Sequence, residues 1–120
     1  MKYMVMMFGD QASMREMRST EWIVEMIDFM HKVNDDLVAA GEFVSAEGLA
    51  DATQAKTVRV QDGIPVATDG PFAESKESLA GYWIIDVEDE ARAIEFTSKI
   101  VAFTGGAIEI RQVMDRPPEV

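Results

Sequence analysis

The chain opens on an apolar run over residues 3–8 that stops at Gly9-Asp10, a pattern that predicts a first strand. Residues 11–18 form a polar connection in which Met14 and Met17 have the spacing of a single helical turn. Ser19 or Thr20 then caps a long helix, with Glu21 favourably placed in its first turn. Ile23, Met26, Ile27, Met30, Asn34, Leu37 and Val38 fall within roughly 120° at 100° per residue, which makes one apolar stripe. Ala40-Gly41 ends that helix. A second strand follows over residues 42–48, then a loop over 51–54. Residues 57–61 and 64–68 flank Asp62-Gly63, a strong two-residue hairpin signal, and Pro65 confines the returning strand to an edge. Residues 79–87 give the clearest strand of all. Residues 88–101 read as a second helix, with Ala91, Ile94, Phe96, Ile100 and Val101 proposed for burial. Gly105-Gly106 closes it, residues 107–114 form the last strand, and Arg116-Pro117-Pro118 is a tail.

The order is β-α-β, an inserted β-hairpin, then β-α-β. It predicts one domain over residues 1–120: an α+β, ferredoxin-like βαββαβ sandwich with an antiparallel sheet and both helices on one face. A sheet covered on one side should alternate apolar with polar. Here it does not. Tyr3, Val5 and Met7 oppose Met4, Met6 and Phe8, while Trp83, Ile85 and Val87 oppose Tyr82 and Ile84. A second apolar face left in water exceeds what monomers usually tolerate. The expectation is a homodimer that stacks these faces and encloses a barrel-like cavity. Cover by the inserted hairpin or the tail is the alternative.

Composition narrows the function classes. At 120 residues the chain is long enough for a core, and its formal net charge is −11. So acidic a chain repels phosphate backbones and anionic lipid, and its eleven Lys and Arg are scattered, so neither nucleic-acid nor membrane binding is expected. The absence of cysteine excludes disulfides, thiolate metal sites and Cys nucleophiles. A single histidine excludes zinc sites built on several imidazoles, and no metal or other cofactor is expected. The apolar start is far short of a membrane span, and a cytoplasmic location is expected. No dinucleotide-binding, Walker, zinc-protease or serine-hydrolase motif is present.

Candidate chemistry gathers on the helix-free face. Ile108 and Ile110 should point at the helices, which turns Glu109 and Arg111 the other way. Phe43, Ser45 and Glu47 share one face of the second strand, opposite the small Ala46 and Gly48, so Glu47 is expected on the cavity side. Glu47, Glu109 and Arg111 are thus candidates to converge in a partly dry cleft, where burial and a guanidinium would tune a general base. An ion pair at the dimer edge is the other reading. His31 has Asp35 at i+4 and Asp28 at i−3. A solvated surface pair, a general acid or base, and an axial haem ligand all stay open for it. Met14, Met17 and Trp22 suit either an apolar lid over a pocket or a loop packed on the core.

"MKYMVMMFGD", "VRVQDGIPVATDGPFAESKE", "GYWIIDV" and "GGAIEIRQV" together resemble the DGPF-domain proteins, YCII-related small bacterial proteins of the dimeric α+β barrel superfamily. The resemblance covers residues 2–113. It implies a ferredoxin-like protomer, a dimer with facing sheets, a cleft between them and a possible regulatory link to a sigma factor. Wider relatives include cofactor-free monooxygenases and small isomerases acting on hydrophobic rings. The His-Asp dyad of the shorter YCII proteins does not carry over. His31 falls one position away from the expected place, and the second helix lacks the Asp-Pro-Tyr that holds the Asp. What carries over is the signature itself: Asp69, Pro71, Phe72, Glu74 and Lys76. The resemblance places Asp69 and Glu74 with Glu47 and His31 as candidate catalytic groups. Phe72, Lys76, Glu109 and Arg111 are candidates to bind a small hydrophobic ligand. Three functions are compatible with all this: a small-molecule enzyme using carboxylates for proton transfer, a metabolite-binding or transcription-associated regulatory module, and a dimer whose cleft is filled by its own side chains.

Overall fold

The two segments that are apolar at every step become the two central strands of an antiparallel sheet. The structure is a computed structural model that describes residues 1–9, 11–71 and 78–118. Among the described residues, strand β1 (Lys2–Phe8) leads into helices α1 (Gln11–Met17) and α2 (Thr20–Ala39), then strand β2 (Phe43–Gly48). A short 3-10 turn (Ala52–Gln54) precedes β3 (Lys56–Gln61) and β4 (Ile64–Asp69). Strand β5 (Leu79–Asp86), helix α3 (Glu90–Thr104) and strand β6 (Ile108–Gln112) complete the order. The main sheet runs β2-β5-β1-β6, every pair antiparallel. Each β-α-β unit is therefore split by a strand of the other, which is the ferredoxin-like arrangement.

The inserted hairpin stands apart as its own two-stranded sheet. Asp62 and Gly63 at its tip have φ of 52° and 80°, as a two-residue turn that matches strand twist requires. Pro65 is tolerated because the strand that holds it has no third neighbour.

The core lies between the sheet and α2 and α3. Tyr3, Val5, Trp83, Ile85 and Val87 supply the sheet side, Val33 and Leu37 come from α2, and Ala93, Phe96 and Ile100 come from α3. Both long helices are turned relative to the stripes read from the sequence. On α2, Ile27 and Val38 are 45% and 62% exposed, and Phe29 and Val33 face inward instead. The reason is the neighbouring helix: Phe29 stacks on Phe103 at 4.4 Å, and Trp22 packs against the same ring at 5.6 Å. On α3, Ala93 and Thr97 take the buried positions expected of Ala91 and Ile94. Thr97 is buried without penalty because its hydroxyl donates to the Ala93 carbonyl at 2.8 Å. Ser19 and Asp89 cap the helices, each accepting from the backbone N–H three residues on.

Strand β2 is irregular. Phe43 pairs with Ile85 while Ser45 pairs with Ile84, so Val44 is an extra residue in a bulge. The bulge takes Phe43 out of the face it would otherwise share with Ser45 and Glu47. At the same end of β2, Arg92 of α3 grips Glu42 from two nitrogens, Nε at 2.9 Å and Nη2 at 2.7 Å, and its Nη1 reaches Glu95 at 3.0 Å. The hydrogen bond from Arg92 holds the Glu42 carboxyl below its ordinary range, against the opposing effect of burial.

Two stability predictions follow from these contacts. A carboxylate with a lowered native pKa stabilises the fold above its unfolded value, and that contribution is lost as pH falls through the native value. Glu42→Gln should therefore cost about 1–2 kcal/mol at neutral pH. In urea titrations the gap between wild type and variant should narrow on acidification below the ordinary glutamate range. Separately, a Cβ on Gly81 would sit 3.0 Å from the Glu47 backbone carbonyl oxygen across the β2–β5 pair. Gly81→Ala should push β2 away from β5 and cost about 1–3 kcal/mol by the same measurement.

Candidate functional site

Small residues open a space where β2 and β5 run out. Ala46, Gly48, Ala80 and Gly81 present almost no side chain there, and Met26 and Met30 of α2 stand over the gap one helical turn apart. Met7 of β1 and Met14 of α1 complete the apolar wall of a cavity of about 460 Å³. That volume suits a small organic ligand. Met14 thus takes the covering position expected of a lid residue. Met17 is exposed, and Trp22 belongs to the α2–α3 contact with Phe103. Thioether side chains are unbranched and polarizable, so a wall of them adapts to flat or irregular apolar shapes.

Two polar features touch this cavity. Asn34 lies on its helical wall, and its Oδ1 accepts from the indole Nε1 of the buried Trp83 at 2.8 Å. Trp83 is fixed from behind by an edge-on contact with Phe96 at 5.8 Å. With its oxygen engaged, Asn34 keeps its NH₂ for a ligand acceptor. Glu47 and Tyr82 border the cavity from the neighbouring row of the sheet, where they are cross-strand partners. Asn34 reads in the sequence as an anomalous polar member of an apolar stripe, which is the signal for its role. Tyr82 carries no such signal.

The register places the remaining candidates. One row across the helix-free face reads Glu47, Tyr82, Met6, Glu109, and the next reads Ser45, Ile84, Met4, Arg111. Glu47 and Glu109 thus occupy the intended face but opposite edge strands, about 14 Å apart at the usual strand spacing. Within one protomer they do not converge. Apolar side chains separate them.

Asp69 ends β4 at the base of the hairpin and forms an ion pair with Lys56, both exposed. Beside it the Gly70 N–H donates to Ala55 O at 2.8 Å, and Thr57 Oγ1 donates to Gly70 O at 2.7 Å. These bonds build a second hollow of about 460 Å³, bounded by Leu49, Ala55, Thr57, Pro71 and Leu79. Phe72, Glu74 and Lys76 lie outside the described residues. His31 is exposed on the outer face of α2, away from both hollows. Among the described residues, no three His, Cys, Asp or Glu side chains group to hold a metal ion, and no helix is long and apolar enough to cross a membrane.

The geometry can be set against known proteins. The family model of the YCII-related domain matches residues 1–116. An uncharacterized protein of Rhizobium meliloti (strain 1021) is 32% identical over 96 residues, which cover 80% of this chain and 77% of the relative. With a family match from the first strand to beyond the last and a split β-α-β sheet beneath it, the chain belongs to the YCII-related domain family.

Proposed function

We propose that this protein acts on a small, flat, uncharged hydrophobic molecule held in the methionine-lined cavity, with Glu47 as the group that takes up a proton. The observation that carries the reading is the make-up of that cavity: thioether walls, one oriented amide from Asn34, and an edge of β2 that carries Glu47 on its other face. A net charge of −11 disfavours anionic ligands and favours neutral ones. Proton transfer at a carbon beside a carbonyl needs a positioned base and a donor to the developing oxyanion. Asn34 offers the donor at the cavity wall, and Glu47, which the register puts on the other face of the edge strand β2, would have to reach the ligand around that edge.

The reading includes a second subunit. Met4, Met6, Tyr82 and Ile84 lie half-exposed on the helix-free face of a slab whose shortest extent is 19 Å. Stacking that face on its equivalent in another copy would bury it and bring the rim carboxylates into a less hydrated space. Binding without catalysis is the second reading. It is favoured by the exposure of Glu47, Asp69 and Glu109 in the single chain.

Two experiments test these statements. 2-Tetralone, a flat bicyclic ketone with exchangeable protons beside its carbonyl, should quench the emission of Trp83 in a Trp22→Phe background. It should also exchange those protons with deuterated solvent faster than in buffer, as followed by NMR. Glu47→Gln should lower that exchange by about 100-fold, the usual scale of general-base catalysis, and leave quenching within a few-fold. Retained quenching with no acceleration in the parent protein would select the binding reading, and no quenching at millimolar ketone would remove the cavity assignment. Light scattering at micromolar concentration should report a two-subunit mass, and Met4→Glu with Ile84→Glu should halve it.

A further inference from the structure

The inserted hairpin is the least explained part of the molecule. Its register sets Val58 opposite Ala67 and Val60 opposite Pro65, so beyond the Lys56–Asp69 pair at its base one face of the hairpin presents these four apolar residues. All four are exposed: Val58 is 65% and Val60 70% accessible, and Ile64 at the tip is 63% accessible. A lone two-stranded hairpin is at best marginally stable in water, and its bare strand edges invite pairing. Among the described residues nothing in the body of the same chain buries this face, and of its apolar residues only Val58 borders the hollow at the hairpin's base.

The molecule's dimensions say the same. A compact domain of this length has a radius of gyration of about 13–14 Å. The observed value is 16.8 Å, with extents of 50 × 46 × 19 Å. The hairpin therefore extends the slab sideways rather than folding over it. A sheet of four strands, about 4.8 Å apart and roughly 20 Å long, offers about 400 Å² in plan. Stable dimers cover about 800 Å² on each partner. Even with side-chain relief the sheet face alone falls short, and an apolar arm beyond its edge would supply the remainder.

We infer that the β3–β4 hairpin is an intermolecular clasp: Val58, Val60, Pro65 and Ala67 of one copy lie on the body of a second copy of this chain. The inference rests on the two-subunit reading above and adds to it a surface that the stacked sheets do not include. An arm that grips the partner also ties the Asp69–Lys56 pair and the hollow at its base to subunit association.

The test uses the full-length protein. A photo-crosslinking residue, p-benzoylphenylalanine, replaces Val60, and illumination at micromolar concentration should yield a covalent two-chain species. In parallel, Val58→Ser with Val60→Ser should raise the dimer dissociation constant at least tenfold by sedimentation, with the helical circular dichroism unchanged. A wild type that sediments as a single chain overturns the two-subunit reading itself, and the clasp with it. A dimeric wild type with no inter-chain crosslink, or with an unchanged constant in the double variant, overturns the clasp alone and leaves stacked sheets standing.

Discussion

Everything in this molecule depends on a sheet that is apolar on both sides and has helices on only one. Strands β1 and β5 place Tyr3, Val5, Trp83 and Ile85 under α2 and α3, and these make the core. The alternate residues Met4, Met6, Tyr82 and Ile84 stay half-exposed among the described residues. Side-chain alternation specifies register weakly here, because slipping a strand by one residue would merely exchange two apolar sets. Register must then be held by other means. The bulge at Val44, the close approach at Gly81 and the Arg92–Glu42 pair all act at the β2 edge, where the hydrophobic pattern specifies register least.

The same doubling explains what could be read before the fold was known. The hairpin was legible from Asp62-Gly63 because both residues must adopt positive φ and few other pairs do so easily. The order of elements was legible from their boundaries. The phase of α2 was not. Apolar residues cover about half of its circumference, from Trp22 and Phe29 around to Ile27 and Val38, so periodicity alone admits several stripes. The choice was made by Phe103, on a helix some seventy residues later, through its stack with Phe29. The candidate site shows the same limit. Alternation located Glu47 and Glu109 on one face, but alternation cannot count the strands between them.

The candidate cavity follows from the small side chains at that end of the sheet. Gly81 meets the Glu47 carbonyl of β2 closely, and the small Ala46, Gly48 and Ala80 beside it leave room under α2 that methionines line. The cavity's polar groups stand at its margin. Asn34 is oriented by an indole on the core side, and Glu47 stands on the side that the helices leave bare. The site therefore straddles the sheet, with its apolar part complete in one chain and its polar part facing outward.

Arg18 has a further consequence for traffic into that space. Its guanidinium lies 4.3 Å from the centre of the Trp22 ring and donates to the Thr104 carbonyl at 3.2 Å, while its own N–H closes on Met14 O at 3.0 Å. At the other end of the short helix, the Gly9 N–H is bonded to Ser78 O at 2.9 Å. A segment fastened at both ends does not swing like a door. The freedom left beside the cavity is that of the thioether side chains, whose single-bond rotations are far faster than any shift of a helix.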